Sequence, residues 1–208
     1  MQHVSEQVME FLLTEVTRYA VKSCPPQVTN GVTVSSNPSD APGKPSSSSV
    51  PTAAQTEESK TLAAEMAAAK LERMGYAVGY RWTERLAQHK TWNSLLSQDA
   101  AAQTAAQQLE AVKFLCKEVW VQIFGKQIDK LQTNHRGVFV LKDMHLKWLQ
   151  RFPSGTEAAR IAAIQLLAFP CGLIRGCLAD LGIPAVVSCD FLADGQNMDA
   201  CSFNIKVK

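Results

Sequence analysis

The stretch Leu109–Asp143, LEAVKFLCKEVWVQIFGKQIDKLQTNHRGVFVLKD, constrains the fold most, because it runs from a long amphipathic helix directly into a β-strand. Leu109, Val112, Leu115, Cys116, Val119, Trp120, Ile123 and Phe124 recur at three- and four-residue steps and form a broad apolar stripe. Glu110, Lys113, Lys117, Glu118 and Gln122 occupy the other face. Gly125 interrupts the pattern. A glycine inside a helix costs about 1 kcal/mol relative to alanine, so it implies either a close packing contact or a short break. The helical period extends to Leu131, and Thr133-Asn134-His135-Arg136-Gly137 then reads as a turn into a strand at Val138–Leu141. Phe114, Val121 and Ile128 form a second, narrower apolar line on the helix flank. Such a line implies burial on two sides, by the chain's own domain or by a second chain.

The surrounding elements follow from the same periodicities. Val4, Val8, Phe11, Leu12, Val16 and Tyr19 line one face of a first helix, which Cys24-Pro25-Pro26 ends. Pro25–Lys60 holds six of the nine prolines, the run Ser46–Ser49 and no aromatic residue. Such a segment buries too little apolar surface to offset its ordering entropy, so a disordered Pro/Ser-rich insertion is expected, either a phosphorylation tract or a tolerated surface insertion. A helix from Thr61 through Ala87 carries Leu62, Met66, Leu71, Met74, Val78 and Leu86. Gly75 and Gly79 stand four apart in it, which is costly unless another helix backbone comes close. Asp99 is positioned to cap the alanine-rich lead-in to the long helix.

Beyond Lys142-Asp143, taken as a tight turn, the alternation of Met144, Leu146 and Trp148 predicts an antiparallel return strand. Glu157–Leu167 reads as one helix. A second starts at Phe169 with Pro170 in its first turn and ends at Leu181-Gly182-Ile183-Pro184, a terminal glycine followed by proline. Ala185–Phe191 and the alternating Cys201–Val207 make two closing strands around the loop Leu192–Met198. The sum is an α+β domain over 1–208, a helical layer packed on a four-stranded antiparallel sheet, with the insertion at 25–60.

Several functions are disfavoured by the same sequence. The 21 basic and 19 acidic residues are scattered, for a formal charge of +2, so no nucleic-acid partner is expected. Glu6, Glu10 and Glu15 break up the N-terminus as a signal peptide, and no apolar run of about 20 residues, the length that spans a bilayer, stands out. A soluble, cytoplasmic chain is the expectation. The six cysteines form no CxxC pair, and the four histidines do not stand at zinc-ligand spacing beside them. Buried reduced thiols, with no metal and no cofactor, are therefore expected. GLIRG lacks the dinucleotide-binding spacing, no G-x-S-x-G elbow occurs, and Glu157 and Asp180 have no carboxylate neighbours, so no catalytic residue is assigned.

Three blocks in order, MGYAVGYRWTERL, the long helix-to-strand stretch and FPCGLIRGCLADLGIP, resemble the subunit-six family of TRAPP, the transport protein particle, within the wider Bet3-like superfamily. The resemblance spans the chain apart from Pro25–Lys60 and Asp99–Ala106. It implies a non-catalytic subunit of a complex that tethers vesicles and activates a Rab-type GTPase in endoplasmic-reticulum-to-Golgi and intra-Golgi transport. It further implies a cytoplasmic protein, peripheral at the cis-Golgi and endoplasmic reticulum, that touches membrane only through the complex. The implied partners are other TRAPP subunits and above all the acylated one, in a heterodimer formed through the first two helices. Carried onto this chain, that interface falls on Val8, Phe11, Leu12, Gly75, Val78 and Gly79. The acylated paralogue has a cysteine just before its long helix; Asp99–Gln108 has none here, and Cys116 reads as core, so acylation is not expected. The rival reading is a hydrophobic-ligand sensor of the same superfamily, in which Trp120 and Phe124 would line a cavity rather than fill it.

Overall fold

The computed structural model describes residues 15, 16, 18, 19, 53–88, 90, 100–134, 136–150, 157–192 and 200–208. Val8, Phe11, Leu12, Asp99 and residues 25–52 of the expected insertion lie outside the described residues. Helix α1 spans Ala53–Ala87, beginning eight residues before the expected Thr61. Ala53-Ala54-Gln55 and Glu57-Glu58 are good helix formers that the proline-rich composition upstream had masked. Helix α2, Ala100–Phe114, passes through a π-helical turn, Leu115–Val119, into α3, Trp120–Phe124. Strands β1 (Lys130–Thr133) and β2 (Val138–Asp143) follow, then α4 (Glu157–Asp180), β3 (Ala185–Phe191) and β4 (Cys201–Val207). The four strands pair antiparallel in the order β1-β2-β4-β3.

The long helix ends earlier than its periodicity implies. Gly125 adopts φ 74°, and its N–H bonds the carbonyl of Val121 at 3.0 Å, so it is a left-handed stop and not a strained interior residue. Ile128 keeps apolar spacing only because the chain doubles back, its N–H meeting the carbonyl of Cys116 at 3.2 Å. The flank line resolves mainly inward: Phe114 is buried, while Val121 and Ile128 are half-buried. The π turn explains the extra width, since Phe114, Leu115 and Cys116 are all buried in succession.

The first hairpin is built on β1 and β2, with Leu131 opposite Leu141 and Thr133 opposite Phe139. Asn134 Oδ1 accepts from the amides of Arg136 (2.9 Å) and Val138 (3.1 Å), and Gly137 takes φ 80° to close the turn. The expected return strand over Met144–Trp148 is absent. Leu149 N–H bonds Leu146 O at 2.9 Å and Gln150 N–H bonds Lys147 O at 3.2 Å, so this stretch turns and buries Leu146, Trp148 and Leu149. Asp143, expected in a turn, is instead a fully buried node at the end of β2. Its carboxylate accepts from Lys126 Nζ (2.7 Å), Trp120 Nε1 (3.0 Å) and the His145 amide (3.1 Å). Lys126 also reaches Asp129 at 2.7 Å, and Asp129 accepts from the Met144 amide at 2.7 Å. The exit of the long helix is thereby fastened to both ends of the hairpin.

The two helices expected around Phe169 are one, with Pro170 inside it. An interior proline removes one hydrogen bond and costs about 3 kcal/mol. Here Leu166, Leu167, Phe169, Cys171, Leu173, Ile174, Cys177 and Leu178 are all buried, and that packing outweighs the loss. Its end is as expected: Gly182 has φ 75°, with Ile183 N–H on Leu178 O at 2.8 Å. By length and composition Arg160–Asp180 could cross a membrane, which the sequence reading had not singled out; 67% of it is buried inside the fold, as in a core helix.

Phe139, Leu141, Cys201, Phe203 and Ile205 face the helices from the sheet. Between the layers Trp120 stacks on Phe124 (4.1 Å between centroids) and meets Phe203 edge-on at 5.4 Å, while Trp148 lies 4.3 Å from Phe124. Trp120 and Phe124 are thus packed against other aromatic side chains in this space.

Candidate partner interface

Helix α1 has two faces of different character. Ala67, Leu71, Gly75, Gly79 and Thr83, each four residues after the last, are all buried. Helix α4 answers with Gly172 and Gly176. A methyl placed on Gly75 would lie 2.1 Å from the carbonyl oxygen of Phe169, and one on Gly79 2.1 Å from that of Leu173. In return, Gly172 faces Glu72 O at 1.9 Å and Gly176 faces Tyr76 O at 2.2 Å on the same measure. Only glycine permits such backbone contact. Because Glu72 meets Gly172 and Tyr76 meets Gly176, the two helices run in the same direction. Cys177 Sγ donates to Gly79 O at 3.4 Å, and Arg175 joins Glu72 at 3.0 Å with its guanidinium 5.2 Å from the Tyr76 ring centre.

This contact relocates two of the residues assigned to a partner. Gly75 and Gly79 do receive a helix backbone, but that helix is α4 of the same chain. Val78 is half-buried and packed against the core. Among the described residues, exposed large apolar side chains cluster on the opposite side of α1, with Met144 and Val186 exposed elsewhere. Leu62 (51% exposed), Met66 (43%) and Tyr80 (42%) fall there, with exposed Ala69, Arg73 and Ala77 between them. Their spacings of three and four residues keep them in one stripe, with Arg73 within it and exposed Glu65, Arg81 and Glu84 along its borders. Ile161 and Ile164, also exposed, start α4 at the same end as Leu62 and Met66, given the register of Glu72 on Gly172. The first helix flanks this face: Val16 packs on the core and the Tyr19 ring lies 4.1 Å beneath Lys70 Nζ. Sequence reasoning took Leu62 and Met66 as part of the helix's general apolar series. The signal that separates them is the row of small residues every four positions, which fixes the inward face and leaves them opposite.

The rest of the chemistry is structural in character. Burial pushes the Cys116 thiol up to about 12, and that of Cys177 likewise to about 12, so both stay protonated and poorly nucleophilic. Burial also opposes charge at Asp129, yet Lys126 and the Met144 amide hold its carboxyl below the usual value. Among the described residues no group of three His, Cys, Asp or Glu side chains is placed to hold a metal. A surface groove of about 600 Å³ beside the end of α4 has a mixed wall, with Gln107, Gln108 and Asp180 on one hand and Leu181, Ile183 and Val207 on the other.

Comparison with known proteins identifies a family for the chain. The profile of the family described as transport protein particle (TRAPP) component matches residues 9–208. Trafficking protein particle complex subunit 6B of Homo sapiens is 37% identical over 139 residues, covering 67% of this chain and 77% of that protein. Subunit 6A of Homo sapiens is 37% identical over 143 residues, covering 69% and 79%. Among solved structures, trafficking protein particle complex subunit 3 from Naegleria fowleri, covalently bound to palmitic acid, aligns over 74% of this chain and 89% of its own. The TM-score is 0.48 and the identity 17%, a remote likeness.

Proposed function

The chain belongs to the TRAPP component family, on the subunit-six side of it, and from that premise we propose that it is a non-catalytic core subunit that heterodimerises with the acylated TRAPP subunit. The observation that carries the reading is the outward stripe of α1: Leu62, Met66, Ala69, Ala77 and Tyr80 present apolar surface, with Arg73 within it and exposed Glu65, Arg81 and Glu84 beside it. Such a stripe on an otherwise amphipathic helix suits a helix-to-helix partner contact. The first helix, carrying Val8, Phe11 and Leu12, extends the same surface in this reading. Nucleotide exchange on a Rab-type GTPase belongs to the assembled complex, and this chain contributes shape and contacts. Its place is the cytoplasmic side of the Golgi and endoplasmic reticulum, held to membrane through its partners.

The test is co-expression with the acylated TRAPP subunit and light scattering after size exclusion. A one-to-one heterodimer is expected, and Leu62→Asp combined with Met66→Asp abolishes it while leaving the urea midpoint of the isolated chain in place. Val78→Asp is a poorer probe, because Val78 contacts the core and its loss acts on folding as well. No complex with the wild-type chain overturns the reading, and a complex that survives the double substitution overturns the interface.

A further inference from the structure

Basic residues that stand apart in the sequence are gathered by the sheet on the face that the helices leave open. Phe139, Leu141, Phe203 and Ile205 face the helices, so the residues between them in β2 and β4 face the other way. The strand register sets that open face out in rows. Lys130, Lys142, Ser202 and Asp190 make one row across β1, β2, β4 and β3. Two rows on, Lys206 stands between Val138 and Val186, and Arg136 follows in the turn that joins β1 to β2.

One pair in this arrangement works against the sheet. Lys130 and Lys142 are directly opposed, with Cβ atoms about 5 Å apart, and like charges so placed destabilise a strand pair. The carboxylates beside them in sequence give no relief, because Asp129 and Asp143 both bind Lys126 at 2.7 Å. Among the described residues no ion pair engages Lys130, Lys142, Lys206 or Arg136. Asp190 brings a carboxylate to the open face, but it lies on the far edge strand and accepts from Asn204 Nδ2 at 2.8 Å. Charge on this face is therefore lopsided, with cations on the β1, β2 and β4 side and the anion on β3.

We propose that the open face of the sheet, over β1, β2 and β4, docks an acidic segment of a partner protein. The charge arrangement selects the occupant. Carboxylates of the segment meet the Lys130–Lys142 pair at one end and Lys206 with Arg136 at the other, four residues or roughly 13 Å along β2. Between the two ends, half-buried Val138 and Val140 offer an apolar strip to the segment's apolar side chains. An anionic membrane fits this face less well. It would cover the sheet to its far edge and press Asp190 against like charge, and such surfaces are met by clusters of about four to eight adjoining basic residues. The sheet itself separates this face from the helices, so an occupant here leaves the outward stripe of α1 free and the proposal does not depend on the heterodimer.

The opposed lysines give the test a signature that a merely solvated face lacks. Lys142→Glu turns their repulsion into an attraction, so one substitution should strengthen the sheet and weaken the site. The full chain is titrated into a fluorescein-labelled peptide of glutamates with interspersed valines, followed by anisotropy, beside the same peptide with lysine for glutamate. The acidic peptide is expected to bind, more weakly as salt is added, and the lysine peptide is not. Lys142→Glu should raise the urea midpoint and weaken binding about three- to tenfold. Lys206→Glu, at an exposed position outside the opposed pair, should weaken binding to a similar degree and keeps the test open if the first variant folds poorly. Leu62→Asp with Met66→Asp should leave binding as it is. No binding of the acidic peptide overturns the proposal, and so does binding that both charge reversals leave unchanged. Binding to phosphatidylserine vesicles with none to the peptide overturns it in favour of a membrane surface.

Discussion

Gly172→Ala isolates the helix contact on which the α1–α4 pair depends. The added methyl would stand 1.9 Å from the carbonyl oxygen of Glu72 and 2.7 Å from its carbon. Regaining an ordinary contact of 3.4 Å or more needs about 1.5 Å of separation between two helix backbones, neither of which can rotate a side chain out of the way. Gaps of 0.5–1 Å already forfeit about a quarter to a half of each dispersion contact across an interface. Overpacking of this kind costs roughly 1–3 kcal/mol and occasionally more, and a rigid backbone acceptor places the site at or above the upper end. Alanine returns about 1 kcal/mol of helix propensity. The net expectation is a loss of about 2–3 kcal/mol, which in a chain of this size lowers the melting temperature by roughly 4–12 °C. Urea titration followed by circular dichroism should show a lower midpoint with an unchanged slope. Ala77→Gly on the exposed face of α1 calibrates the propensity term and should cost about 1 kcal/mol. A Gly172→Ala protein as stable as the wild type, or more stable, would refute the close approach.

Three further outcomes are expected. Asp143→Ala removes the acceptor for Lys126, the Trp120 indole and the His145 amide, and should cost about 2–4 kcal/mol in a urea titration, since Lys126 retains Asp129 while the indole N–H is left buried. Asp129, held below its unfolded value, contributes stability that is fully present above the unfolded carboxyl pKa of about 3.9 and is lost as the pH falls through the folded one. The stability gap between wild type and Asp129→Asn should therefore be open at pH 7 and close in titrations below about pH 4. Cys116, pushed up to about 12, should react with iodoacetamide in the native protein at pH 8 at least about a thousandfold more slowly than a free thiol, as followed by peptide mass.

The elements that the sequence announced are those where one physical pattern acts alone. Cys201–Val207 alternates in sequence with Cys201, Phe203 and Ile205 on the helix-covered side of β4, although Ser202 on the other side is buried too, and the glycine–proline ending at Gly182 was legible because only its local geometry matters. The glycine spacing on α1 correctly called for a helix backbone, but spacing carries no information on whether that backbone belongs to the same chain. Errors arose where two patterns overlapped. Lys130–Thr133 is a strand too short to show its period, and Ile128 and Leu131 extended a helical rhythm across the left-handed stop at Gly125. Pro170 marks a helix start in isolation and was overruled by the packing of α4. Leu146 and Trp148 alternate like strand residues, yet Leu149 is buried as well, which a strand facing one core cannot do. Of the residues assigned to a partner, Gly75 and Gly79 are packed against α4 of the same chain, a contact that glycine spacing alone does not distinguish from one with a second chain.

The pairing of α1 with α4 also governs the order in which the chain can fold. The hydrogen bond from Cys177 to Gly79 closes a sequence separation of 98 residues, so the glycine contacts of α1 form only once the whole hairpin and most of α4 exist. At synthesis rates of about 5–20 residues per second, α1 waits some 5–20 s on the ribosome with that face uncovered. A row of Ala67, Gly75, Gly79 and Thr83, with Leu71 as its large apolar member, offers little for a chaperone or a misfolded neighbour to hold. Small residues that permit a tight fit at the end of folding thus also keep the unfinished chain quiet while it waits.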